Sequence, residues 1–183
     1  MALEMGSLIS KANVYKVILE NTITYRMEWN TTLKPLIKDT LKDILQHTLM
    51  KAEIKEQSKL ENLEAVILDL GKTSSGISEN IDDSGVKRTM IKSNGSLIYQ
   101  QLFNGKVMVM IMSPSIEGYG EPKAPRMLQI LRPNELKPPL ILQHFEAMLK
   151  EIIDWEDYDD DQPAKANIGF QPIGFNNRED IEQ

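Results

Sequence analysis

Along the first fifty residues the apolar positions recur mostly at helical spacing. Leu8, Ala12, Tyr15 and Leu19, with Ile18 beside them, fall three and four apart, as on one face of a helix. From Ile23 to Trp29 the period becomes two. There Ile23, Tyr25, Met27 and Trp29 alternate with Thr24, Arg26 and Glu28, which suits a half-buried strand and leaves a continued helix as the alternative. Leu33, Leu36, Ile37, Leu41, Ile44, Leu45 and Thr48 then trace a second helical stripe, with Thr31 or Thr32 as N-cap and Pro35 confined to the first turn. Lys34, Lys38 and Lys42 lie on the other side, and Lys51, Lys55 and Lys59 repeat their spacing in a polar continuation. Interspersed Asp39, Asp43, Glu53 and Glu56 make this a solvated, nearly neutral face.

Strand signals dominate the middle of the chain. Residues 63–70 are too short for an independent helix and rich in branched side chains, as in a buried strand. Residues 71–87 hold three glycines, four serines and two adjacent aspartates and read as a mobile loop. Asn94-Gly95 and Asn104-Gly105 each sit between apolar runs and favour the positive backbone angles of type I′ hairpin turns. Together they predict a three-stranded meander over 88–93, 96–103 and 106–113. In its last strand Val107, Val109 and Ile111 alternate with Met108, Met110 and Met112, so both faces are apolar and both need cover, from helices or from another subunit. Residues 114–125, with three prolines and two glycines, form a surface loop, and 126–131 a further strand. Pro138-Pro139 open a helix on which Ile141, Phe145, Met148, Leu149 and Ile152 share a face. The fold class expected is α+β: an antiparallel meander sheet of about five strands, N-terminal helices and a closing C-terminal helix. One domain over residues 1–155 would be followed by an acidic, largely extended tail, 156–183.

Charge sharpens that boundary. The net charge of -6 is unevenly spread: residues 1–113 carry 14 Lys/Arg against 13 Asp/Glu, residues 114–183 only 7 against 14. The densest block, residues 154–161, holds six carboxylates in eight residues, repels itself and stays hydrated, so it marks the end of the domain. That field disfavours nucleic acid. No apolar run is long enough to span a membrane, no secretory signal opens the chain, and cysteine is absent, so the expected setting is cytoplasmic without membrane partners.

Motifs of known chemistry are mostly broken. Gly71-Lys72-Thr73 lacks the P-loop glycine five residues earlier, where Val66 stands, and an Asp-x-Gly phosphate turn at Asp69 would need a second lobe for which the chain has no room. Ser84-Gly85-Val86-Lys87 matches Ser-x-x-Lys in what reads as turn chemistry. His47 and His144 sit beside the apolar stripes of their predicted helices, as boundary residues, without a second His at ligand spacing, and the Asp157–Asp161 run lacks the glycine and distal glutamate of a calcium loop. No catalytic residue, metal site or cofactor is expected. Asp69, at the end of an apolar strand, is the carboxylate most prone to a perturbed environment.

Two surface features remain. Ile168-Gly169-Phe170 and Ile173-Gly174-Phe175 repeat at five residues within the polar tail, and Ile168, Phe170, Ile173 and Phe175 have no use there unless they dock, on this chain or on a partner. Met108, Met110 and Met112, joined by Met90 and Met127 from neighbouring strands, would place thioethers on one sheet face, as core under a helix, as a homodimer interface or as a ligand pocket. The sequence therefore points to a non-enzymatic binding or assembly module that forms a homodimer or other homo-oligomer and docks a protein partner through its tail. A small-molecule sensor, with an apolar pocket between sheet and closing helix, is the alternative, and an enzyme of unknown class the third.

Overall fold

The structure, a computed structural model, describes residues 4–81 and 85–158. Its first element is helical for over forty residues: α1 (Gly6–Glu28), a π-helical turn (Trp29–Leu33) and α2 (Lys34–Thr48) follow one another without a break. The period-two segment is therefore helix. Four apolar residues at alternate positions are also two i,i+4 pairs: Tyr25 and Trp29 turn toward the domain, while Ile23 and Met27 stay exposed. Pro35 explains the π turn. It has no N–H to give to the carbonyl of Thr31, and its ring crowds that carbonyl, so the chain widens by one residue and Lys34 N–H bonds to Trp29 O. Neither Thr31 nor Thr32 caps a helix start; Thr31 Oγ1 donates to Met27 O within the continuous helix. The helix ends at Leu49, which takes a left-handed conformation with φ 54°.

Among the described residues eight strands follow, all paired antiparallel. β1 (Glu53–Gln57), β2 (Ala65–Asp69), β5 (Ser96–Gln101), β6 (Val107–Met112) and β8 (Arg126–Leu131) form a five-stranded sheet in the order β1-β2-β5-β6-β8. β3 (Lys72–Asn80), β4 (Lys87–Ser93) and β7 (Ser115–Ile116) form a second sheet in the order β3-β4-β7. A short 3-10 turn (Pro133–Glu135) leads into α3 (Pro138–Glu156). The architecture is α+β with antiparallel sheets, and its boundaries at 65–69, 126–131 and 138 follow the sequence reading closely.

The second sheet corrects two expectations. Residues 71–87 contain a strand, β3, that pairs with β4 in a polar, exposed ribbon, with a register shift between Ser74 and Ser78 around Gly76. Asn94-Gly95 is a bend within a continuing ladder, where β4 passes into β5 while its neighbour β3 gives way to β2. Leu70 N–H bonds to Gly95 O and Asn94 N–H to Gly71 O across the bend, and the Asn94 amide also holds Leu70 O and Thr73 Oγ1. The positive φ of Gly95, 94°, serves close approach: a Cβ there would stand 2.8 Å from Met112 O. Asn104-Gly105 does turn a hairpin, joining β5 to β6.

β1 replaces the expected polar end of the second helix. Its Lys55 bonds to Asp69 on β2, so the fourfold lysine spacing beyond residue 50 is not helical. α2 and α3 pack together on one face of the main sheet, over Val66, Leu68, Leu97, Tyr99, Val107, Val109 and Ile111. Trp29, Leu33, Ile37 and Leu41 enter this core from the long helix, Ile141, Phe145 and Met148 from α3. Burying them is the main source of stability.

Candidate interaction surface

Where the long helix leaves the domain, contacts are few and specific. The β5–β6 turn touches α1 at Thr22, Tyr25 and Arg26: Arg26 donates to Phe103 O at 2.7 Å, and a Cβ on Gly105 would lie 2.7 Å from Tyr25 Cβ. Trp29 Nε1 donates to Glu64, which also accepts from Lys34. The Lys34 ammonium and the indole together hold the Glu64 carboxyl below its ordinary value, against the opposing effect of burial. This is the root of the helix. Residues 4–21, beyond it, are exposed throughout, although they include Leu8, Ile9, Val14, Tyr15, Val17, Ile18 and Leu19 at 48–62% exposure. Its helical part, residues 6–21, is about 24 Å long at 1.5 Å per residue. It carries apolar residues on two sides: Leu8, Ala12, Tyr15 and Leu19 form one stripe, and Val14 and Ile18 continue the line of Tyr25 and Trp29.

The second surface is the helix-free face of the main sheet. Strand alternation sends Val107, Val109 and Ile111 to the helices and Met108, Met110 and Met112 to the opposite side, so the methionines are not core under a helix. Register then assembles a row. Ile67 faces Ile98, Ile98 faces Met110, and Met110 faces Met127, across four adjacent strands. A second row runs Gln100, Met108, Ile130. Met127 and Ile130, on the edge strand, are 55% and 47% exposed, and among the described residues no helix packs on this face. Met90 lies on β4 in the other sheet and does not join the row. At the β1 border the face becomes charged, with Lys55 between Glu53 and Asp69.

The candidate chemistry from the sequence is accounted for structurally. Asp69 accepts from Lys55 and from Gly71 N–H. Burial works to raise its carboxyl, but these partners outweigh that and leave it below the ordinary value, so the amide a phosphate turn would use already caps Asp69. His47 Nδ1 bonds to Asp43 O on its own helix. His144 is more buried than a boundary residue, 4% exposed, between Tyr99 OH at 3.4 Å and Gln129 Oε1 at 3.3 Å. Burial lowers its basicity and pushes the Tyr99 phenol far above its normal range. Among the described residues no group of three or more His, Cys, Asp or Glu could hold a metal ion. A cleft lined by Pro114, Ile116, Tyr119, Lys123 and Trp155 encloses about 20 Å³, room for a single water. Ser84 and the tail positions Ile168, Phe170, Ile173 and Phe175 lie outside the described residues.

The sequence reading found the methionine row but missed the arm. Its signal was present: Val14 and Val17 fall off the Leu8–Leu19 stripe, and a helix packed on one side only does not need them. No protein-family model, no curated protein and no solved structure matches this chain.

Proposed function

We propose that this protein is a non-enzymatic assembly module that self-associates, with the α1 arm as the associating element. One observation carries this reading: seven large apolar side chains on an arm of more than four turns have no partner surface among the described residues. A contiguous apolar surface of that size on a monomer marks an interaction site. A partner copy fits it better than a bilayer surface does. Lys11, Lys16 and Arg26 on α1 are balanced by Glu4, Glu20 and Glu28, so the helix has no basic stripe for anionic lipid, and no helix among the described residues is long and apolar enough to cross a membrane. The Ile-Gly-Phe repeat after the acidic block supports a second contact, a tail that docks a neighbouring protein. A cytoplasmic setting belongs to the same reading.

Sedimentation across a range of concentrations tests self-association. The intact chain should sediment as a reversible dimer or higher oligomer, and Leu19→Glu, at an exposed arm position that touches no core residue, should raise the dissociation constant about tenfold or more. A monomer at every concentration, or arm-dependent binding to anionic vesicles, contradicts the proposal.

A further inference from the structure

The arm and the helix-free sheet face are both apolar, no helix among the described residues covers either, and the two cannot meet within one chain. α2 lies on the helical face of the sheet and runs into α1 through the π turn without a break, so the arm leaves on the side opposite the Met110 row. We infer that the two surfaces meet between copies: the arm of one protomer lies across the Ile67–Ile98–Met110–Met127 face of a second, reciprocally. This rests on the self-association proposed above and names the surface that receives the arm.

Dimensions and area favour this arrangement over pairing of the two arms. Four strands at about 4.8 Å spacing and six residues at about 3.3 Å rise give a face of about 14 by 20 Å, whose diagonal, about 24 Å, matches the arm. A helix about 10 Å wide and 24 Å long covers about 240 Å² in projection. Arm-to-arm pairing uses one such strip per protomer. Reciprocal arm-to-sheet contact uses two per protomer, about 960 Å² in all, close to the roughly 1,000 Å² at which interfaces become specific, where arm pairing gives half of it. A two-fold axis generates the second contact from the first, so one complementary pair of surfaces suffices. The arm's apolar residues on two sides are consistent with a helix that is packed on a sheet and not merely zipped to a single helix. At the charged border of the face, Lys55, Glu53 and Asp69 satisfy one another and leave the apolar rows to the incoming helix.

The absence of cysteine makes the test direct. Ala12→Cys and Met110→Cys variants of the full chain are prepared singly, mixed, and treated with a short flexible bismaleimide. The mixture should yield a cross-linked dimer joining the two different chains, in excess over what either variant gives alone. In parallel, Ile130→Lys, at a half-exposed edge position, should raise the dissociation constant about tenfold while the circular dichroism spectrum stays native. A dimer that cross-links only through Ala12→Cys to itself, or one unaffected by Ile130→Lys, overturns the arm-to-sheet inference and leaves self-association standing. A chain that is monomeric before any substitution removes both.

Discussion

His144 is the residue whose surroundings predict a measurable response to pH. It faces only uncharged groups, Tyr99 OH on Nδ1 and Gln129 Oε1 on Nε2, and it sits among the apolar side chains of α3 and the sheet. Burial lowers its affinity for a proton, so as pH falls below the ordinary imidazole value of 6.5 the unfolded chain protonates first. The sign follows: the contribution is complete above that value and is lost as pH falls toward the depressed native one. Between about pH 7.5 and 5.5, before most carboxylates titrate, the melting temperature should fall, and His144→Gln, which keeps a hydrogen-bonding side chain between Tyr99 and Gln129, should flatten that fall. Equal slopes in the two proteins would remove His144 as the cause. From the sequence His144 read as a boundary residue, because burial depends on β5 and β8 meeting α3, which no local pattern encodes.

At the level of elements, the bend at Leu70–Gly71 and Asn94–Gly95 turns what looks like a loop and a hairpin into one ladder that passes from the first sheet to the second. Its geometry depends on glycine at two levels, conformation and space. Gly95→Ala adds a Cβ 2.8 Å from Met112 O at φ 94°, whereas Gly76→Ala, at φ 77°, meets nothing within 4 Å and carries only the backbone cost. Urea denaturation should therefore show Gly95→Ala destabilised by about 1–3 kcal/mol more than Gly76→Ala. Similar losses at the two sites would mean that contact with β6 does not constrain the bend. Elements whose apolar pattern is self-contained were legible from sequence: β2 by its run of branched residues, α3 by its Pro-Pro start and its stripe, β6 by its two apolar faces. Three others needed tertiary information. β3 has no apolar face and exists through pairing with β4; β1 is held at the edge by Lys55 and Asp69; Asn94-Gly95 has the same local chemistry as Asn104-Gly105, and only its neighbours decide that it bends a strand where the other reverses one. Residues 23–29 failed for a different reason, since a period of two over seven residues also satisfies i,i+4 pairing on a helix.

For the whole molecule, the notable imbalance is between a core that is complete and two surfaces that are not. The helices close one face of the main sheet with Trp29, Ile37, Leu41, Ile141, Phe145 and Met148, and nothing described in the chain closes the other. Half of the candidate surface was legible in advance, because alternation alone put Met108, Met110 and Met112 on one face. What the sequence could not give was that the helices choose the valine face, nor that the first helix runs past the domain it belongs to. Both surfaces are apolar and lie on opposite sides of the sheet, which is why the proposed second copy fits both. The most direct measurement is the molar mass in solution, by light scattering, of the full chain beside one lacking residues 1–21, which leaves Thr22, Tyr25, Arg26 and Trp29 at the root in place. The account predicts about twice 20.9 kDa for the full chain and a folded monomer for the shortened one. Equal association states for the two proteins, whether both monomeric or both dimeric, would contradict it.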